Sequence, residues 1–571
     1  MEVDPVVTPF LDEGRHTYGF PVGSQQHGAA PPGFPGGVPV RRQRYRNWLD
    51  QIHVDDVWVC TPRSAADVVA VANWARSRGY RVRASGHSHT ASPLVLTDRQ
   101  PDADRVVLAD TREHLTGMSV EAGAAPGIRV GTGVSLRELA EFAERHGFGL
   151  PLMPLCGELT VGGVLAVGGH GTGASTAPTA PTAPGAADGG SGSLSDLVAA
   201  LTAVVWDKPS GEYVLRTFHR SDPDTAAFLT HLGRAFITEV TLSVVPDYPL
   251  RCVSEVTIPA GELLAAPEKV SSRSLAALVD RCGRVDVVWF PQSERTWVRT
   301  FEVEPERPPE SRPVVEPYNF PFTDHVPESV SRAVSLVVSD DPRHTAELGE
   351  VQYAATVAGL AASASADLWG LSKNLLLSAK PNILRYAWNG YAILTSRDLL
   401  QRVVHEYGTF FRELVDTYRN QDRYPVNGPV QLRITGLDRP RVTDAGEVQP
   451  PALSPVRADP ENPHWDVAVW ANVLSFPGTE HAESFYRDFE EFVFGNYRAP
   501  YACARPEWAK GWAYTAESAW SDPTVLSGTV PAAFGDSWDW AVSRLHAHDP
   551  HRVFGNPFLD RLLVAETGGA A

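Results

Sequence analysis

Apolar residues recur along the first part of the chain in two alternating rhythms. Trp58-Val-Cys-Thr-Pro62 is an apolar run stopped by proline. From Ser64 the segment Ser64-Ala-Ala-Asp-Val-Val-Ala-Val-Ala-Asn-Trp-Ala-Arg76 carries apolar positions at a period near 3.6, with Ser64 and Asp67 marking a helix start. Gly79-Tyr-Arg-Val-Arg-Ala84 then alternates as a strand and breaks into the loop Ser85-Gly-His-Ser-His-Thr90, so the first 90 residues read β-α-β. A second unit follows the same plan. Ile128-Arg-Val-Gly-Thr-Gly-Val134 reads as a strand and Ser135-Leu-Arg-Glu-Leu-Ala-Glu-Phe-Ala-Glu144 as a helix with a serine cap and an acidic first turn. Strand patterning persists to Thr238-Glu-Val-Thr-Leu-Ser-Val-Val-Pro246. Beyond residue 247 the pattern changes to longer strands and amphipathic helices, one of them expected over 396–417.

These shifts divide the 571 residues. Residues 1–45, rich in Gly, Pro and His over 11–40, are expected as an irregular arm. Residues 46–246 form a first domain, interrupted at 175–193 by Ala-Pro-Thr and Gly-Ser repeats that bury little surface and read as a mobile loop. Residues 247–535 form a second domain, and 536–571 a C-terminal segment. The fold class is α+β. Hydrophobic residues are 43% and charged residues 21%, enough for more than one sizeable core and against wholesale disorder.

Lys plus Arg is 50 and Asp plus Glu is 68, and the net charge of −18 opposes binding to nucleic acid or anionic membranes. With no run of 18 apolar residues and no basic stretch leading into an apolar one at the start, the expectation is a cytoplasmic protein without a membrane span. The five cysteines are scattered without C-x-x-C spacing, so buried thiols are expected rather than disulfides or a metal site. The apolar content suits a monomer or a homodimer alike.

Candidate chemistry concentrates in four places. Val161-Gly-Gly-Val-Leu-Ala-Val-Gly-Gly-His-Gly-Thr-Gly173 holds six glycines in thirteen residues, a composition that lets backbone N–H groups approach a pyrophosphate, although a flexible turn has the same composition. It fits neither the P-loop nor the Rossmann spacing. Arg83-Ala-Ser-Gly-His-Ser-His89 puts two histidines on a loop directly after a strand. In Val430-Gln-Leu-Arg-Ile-Thr435, period 2 sends Gln431, Arg433 and Thr435 to one face, and Asn472 shares a strand face with Trp470 and Leu474. Glu507 and Lys510 are three apart and are expected to pair across one helical turn.

R-x-x-G-x-x-H after a β-α-β start, followed by T-V-G-G-x-x-x-x-G-G-H-G, resembles the PCMH-type FAD-binding domain of the vanillyl-alcohol oxidase superfamily. The resemblance extends through Leu232-Gly-Arg-Ala-Phe-Ile-Thr238 and the terminal Phe554-Gly-Asn-Pro-Phe558, similar to a piece that returns to the flavin domain. Pro425-Val-Asn-Gly-Pro-Val-Gln-Leu-Arg-Ile-Thr-Gly-Leu-Asp438, Val469-Trp-Ala-Asn-Val-Leu-Ser-Phe-Pro477, Arg505-Pro-Glu-Trp-Ala-Lys-Gly-Trp512 and Tyr318-Asn-Phe-Pro-Phe-Thr-Asp324 narrow it to the substrate domain of type II, covalent-FAD cholesterol oxidases.

The resemblance implies FAD joined through His89, with His87 as the alternative. Ser85, Gly86, Ser88, Gly162, Gly163, Gly168, Gly169, His170, Gly171, Ile237 and Asn556 would surround the cofactor. It also implies Arg433 beside the flavin, Asn472 at the substrate hydroxyl, and Glu507 with Lys510 lining the same cavity. One departure stands out: the family's E-x-R is Gln431-Leu-Arg433 here, which alters the glutamate–arginine gate associated with oxygen access. An amide is no base, so Glu507 becomes the first candidate base and Glu294 the second. The implied activity is hydride transfer from a bulky, apolar alcohol to flavin N5, with O2 reduced to H2O2. The alternatives are a dehydrogenase or tailoring enzyme using another acceptor, and a non-catalytic flavin-binding scaffold.

Overall fold

The computed structural model describes residues 30–121, 126–175, 192–320, 328–378, 385–443 and 446–564. Most of the expected arm (1–29) and of the expected mobile loop (176–191) lies outside them. Ser64 accepts from Asp67 N to start the helix Ala65–Arg78, and Gly79, at φ 69°, ends it. That helix returns the chain so that Arg81–Ser85 and His53–Cys60 both run parallel to Val106–Asp110 between them. A fourth strand, Val40–Arg46, pairs antiparallel with His53–Cys60. It falls inside the stretch expected as irregular, and its four arginines explain why: an edge strand without apolar alternation is a strand through backbone pairing, not through pattern. A second sheet has the order Met118–Glu121, Gly127–Gly131, Phe236–Ser243, Val198–Asp207, Glu212–His219. The helix Leu136–Arg145 beside it carries a complete capping box between Ser135 and Glu138.

The chain beyond residue 247 builds one large sheet. Its central strands run in the order Pro249–Glu255, Arg295–Val303, Arg284–Phe290, Val430–Thr435, Val467–Ser475, Tyr391–Thr395, Ala502–Pro506. Val430, Leu432 and Ile434 are buried in the main apolar core, as the alternation predicts, together with residues of the helices Leu400–Arg419 and Ala482–Asn496. The expected helix over 396–417 begins with a short 3-10 turn, Arg397–Leu399, before Leu400–Arg419. No described helix is long and apolar enough to cross a membrane.

Candidate active site

Two glycine loops far apart in sequence touch each other. A Cβ on Gly86 would stand 2.3 Å from Thr160 Oγ1, so a side chain there would separate the loops, and one on Gly171 would stand 2.3 Å from the Met153 carbonyl. Thr160 in turn caps the helix Val161–Ala166 by accepting from Gly163 N. Gly162 packs on Thr132, Gly169 on Val164, and Gly168 against Pro455 and Thr230. The loop then joins the large sheet: Gly173 N donates to Ile434 O at 2.8 Å, and Thr172 Oγ1 to Val285 O at 2.7 Å. The cradle therefore leads directly onto the strands that carry Arg433.

His89 lies between this cradle and the second half of the site. Its ring stacks on Trp48 at 4.6 Å, and Trp48 stacks on Trp388 at 5.4 Å. Ala91 N donates to Ala509 O at 2.9 Å and Ser92 Oγ to Trp508 O, which ties the histidine loop to the turn bearing Glu507 and Lys510. Burial pushes His89 down to about 3, with Lys510 and His87 adding to it; burial and Arg112 push His87 down to about 4. Both are neutral imidazoles at pH 7, the form that can act as a nucleophile.

Ser88 takes a positive φ of 52° between the two histidines. Asn556 reaches the same loop from the C-terminal segment, its Nδ2 donating to Pro93 O at 2.9 Å and Leu94 O at 3.1 Å. Ile237 is a buried strand residue whose carbonyl accepts from Thr132 Oγ1 at 2.9 Å.

The polar face of Val430–Thr435 supplies the rest. In register, Gln431 lies between Val288 and Asn472, and Arg433 between Asp286 and Trp470. Asn472 Nδ2 donates to Glu507 Oε2 at 2.8 Å; Glu507 Oε1 lies 3.8 Å from Lys510 Nζ and 3.5 Å from His170 Nε2. His170 stacks on Trp470 at 3.5 Å and 5°. Lys510 Nζ sits 3.2 Å from the centre of the Trp388 ring, a cation–π contact. Gly390 closes the cluster, since a Cβ there would lie 2.6 Å from Asn472 Nδ2 and 2.9 Å from Glu507 Oε2.

Three expectations change. Glu507 and Lys510 do pair, but on a turn that follows the strand Ala502–Pro506 and not across a helical turn. Their side chains are only 11% and 16% exposed, so this is no surface ion pair. Burial alone would raise the Glu507 carboxyl, but Lys510, His170 and Asn472 outweigh it and hold it down at about 2, which makes Glu507 a fixed anion and a poor base. Glu294, the second candidate base, is remote from the site: it pairs with Arg412 at 2.9 Å with its side chain 46% exposed.

Arg433 meets a carboxylate on the neighbouring strand. Asp286 lies 3.3 Å from Arg433 Nε and pairs on its other side with Arg299. Burial raises it, but the two guanidinium groups prevail and lower it. Sequence reading missed Asp286, Arg299, Trp48, Trp388 and Gly390. The one legible signal was an aspartate in the middle of the apolar run Arg284–Phe290. Lys510 completes the set: burial, reinforced by Arg433 and opposed by Glu507, pushes its ammonium down to about 8.

The residues present fit a flavin dinucleotide. The hydroxyls of Ser85 and Thr230 are buried beside the cradle without a protein partner, as are the indole N–H groups of Trp48 and Trp388. Side chain-free loop backbone, neutral imidazoles and a cationic sheet face adjoin them. These features define an FAD-binding protein, and residues 58–180 match the family described as FAD binding domain. The chain belongs to the cholesterol oxidase substrate-binding family, whose match covers residues 249–564.

Among solved structures, a solvent-stable cholesterol oxidase is 44% identical, with 94% of this chain and 100% of that one covered at a TM-score of 0.89. A cholesterol oxidase from B. sterolicum is 36% identical over 95% of this chain and 100% of its own, also at 0.89. Among curated proteins, the L-gulonolactone oxidase of Bos taurus is 25% identical over 274 residues, 47% of this chain and 53% of that protein. The putative D-arabinono-1,4-lactone oxidase of Neurospora crassa is 24% identical over 277 residues, 47% of this chain and 43% of that protein. The chain thus spans about half the length of these two relatives.

Proposed function

We propose that this protein is an FAD-dependent oxidase that removes a hydride from the carbinol carbon of a bulky, apolar alcohol of the sterol class. The observation that carries the reading is the convergence of Arg433, Asn472, Glu507 and Lys510 on the cradle that holds His89 and His170. Its similarity over nearly the full length to cholesterol oxidases supports the substrate class. Bound FAD would accept the hydride and pass two electrons to O2, giving H2O2.

The chain's own residues would handle orientation and the proton. Asn472, held by Glu507, is placed to orient the alcohol oxygen. Arg433, fixed by Asp286, brings positive charge to the cofactor side, where negative charge develops on reduction. Glu507 and Asp286 are both pinned as anions, so the hydroxyl proton goes to the neutral amine of Lys510, whose pKa is matched to that task near neutrality. His89, neutral and against the cradle, is the residue to which the flavin would be joined.

The test is anaerobic mixing of the purified yellow protein with cholesterol. Bleaching followed by H2O2 release on admitting air is the expected result; no bleaching by cholesterol or by a panel of bulky alcohols would overturn the reading. Acid precipitation and peptide mapping should leave the flavin on the peptide containing His89. Gln431 favours one second reading, a dehydrogenase, which would bleach fast and reoxidise slowly in O2.

The lysine assignment has its own signature. The reduction rate should rise with pH to a plateau above about 8, because the amine and not the ammonium accepts the proton. Lys510→Met should lower the rate by about 10²–10⁴ and remove that limb. A rate that falls as pH rises through the same region would assign Lys510 the ammonium role instead.

A further inference from the structure

We infer that Glu490 is a positioning residue for the active-site turn: its buried carboxylate grips the backbone at Ala513 and Tyr514 together with the Tyr391 hydroxyl, and thereby sets where Glu507, Lys510 and Gly390 stand. Glu490 lies on the helix Ala482–Asn496 and is 2% exposed. Its Oε2 accepts from Ala513 N at 2.7 Å and from Tyr391 OH at 2.9 Å, and its Oε1 accepts from Tyr514 N at 2.9 Å. The three donors come from the two segments that carry the site.

A backbone ladder passes this grip on. Gly511 N donates to Trp388 O at 2.8 Å, Gly390 N to Gly511 O at 3.2 Å, and Glu507 N to Gly390 O at 2.9 Å. Ala513 holds a φ of 53°, a region that a residue with a side chain rarely keeps without such support. There is no slack at the far end, where Gly390 lies against Asn472, Lys510 and Glu507.

The grip depends on both oxygens being acceptors. Protonation puts an O–H on one oxygen, which then faces a backbone N–H that can only donate, Tyr514 N on one side or Ala513 N on the other; the Tyr391 hydroxyl can turn to accept, but the amide cannot. Burial pushes Glu490 up to about 7 against the three donors, and Asp522 adds to the rise. Tyr391 and Tyr514, which face it, and Tyr407 and Tyr486 behind them are neutral hydroxyls whose own values burial raises. Acidification through neutrality therefore releases a contact, and the turn loosens.

Hydrogen–deuterium exchange on the full flavoprotein reads this directly, at the amides of Ala513 and Tyr514 and corrected for the intrinsic pH dependence. Protection should fall about tenfold between about pH 8 and about pH 6 in the natural protein. In Glu490→Gln, whose amide N–H₂ faces a donor, protection should be low at both. Tyr391→Phe removes one donor to the ionised form, so the step should move to higher pH; this variant decides the matter if Glu490→Gln fails to fold. With cholesterol, the reduction rate of the natural protein should carry a second acid limb near 7 below the Lys510 limb, and Glu490→Gln should lose that second limb while the Lys510 limb and the visible flavin spectrum stay. Exchange that is independent of pH in the natural protein and unchanged in Tyr391→Phe would overturn the assignment. The catalytic purpose of the grip rests on the alcohol-oxidising reading. Failure of cholesterol to bleach the natural protein would remove that reading while the exchange step still decides the role of Glu490.

Discussion

Glu507→Gln should leave the protein yellow and cut cholesterol-driven flavin reduction by about 10²–10³. The substitution keeps the shape of the side chain and removes its charge. Glu507 is the hub of the site, with Asn472 at 2.8 Å, His170 at 3.5 Å and Lys510 at 3.8 Å. An amide in its place has one acceptor where the carboxylate has two, so Asn472 and Lys510 compete for it and the alcohol oxygen loses its fixed partner. The change in pH dependence separates this from a loss of folding. Glu507 is the group that holds the Lys510 pKa up against burial and Arg433. Without it the ammonium is harder to keep, and the limb near 8 should move to lower pH. Anaerobic stopped-flow reduction across the pH range measures both effects. A variant with the natural rate and an unmoved limb would remove Glu507 from the site.

Asp286→Asn should be the most damaging single change to stability, at about 3–5 kcal/mol, because it leaves the buried Arg299 and the half-buried Arg433 side by side without an anion. The carboxylate is 4% exposed, so water does little to screen the two cations. Its native pKa is lowered from the ordinary 3.8. Its contribution is therefore present in full above that value and lost as pH falls through the lower native one. Thermal unfolding midpoints against pH should show the variant several degrees lower near neutrality, with the gap closing in acid. Adding Arg299→Met should recover part of the loss, since the cost comes from the unpaired charge. A single variant as stable as the natural protein would show that the arginines find another partner.

The elements that were legible in the sequence are those in which one local rule sufficed. Ser64 and Asp67 start the first helix, Ser135 caps the second ahead of an acidic first turn, and the alternation in Val430–Thr435 separates a core face from a polar one. The two glycine loops, the paired histidines and the Glu507–Lys510 spacing were visible for the same reason: each is a short run whose residue types admit few conformations or few chemistries. Val40–Arg46 escaped because its pairing is with another strand and leaves no periodic trace.

The sequence by itself determined the inventory: a β-α-β start, a glycine cradle, a histidine loop, a strand with Gln431 and Arg433 on one face, and an acid–base pair three residues apart. Only the tertiary structure decided what each group is. Asp286 became the partner of Arg433 because antiparallel register sets it directly opposite. Glu507 changed from a candidate base to a fixed anion because Lys510 faces it on its own turn and His170 and Asn472 reach it from two other segments. Lys510 became the group that titrates near neutrality because it is buried beside Arg433. Chain order specifies local conformation within a few residues, whereas the free energy of a charge depends on everything within several ångströms, and that neighbourhood exists only once the sheet, the cradle and the turn have met.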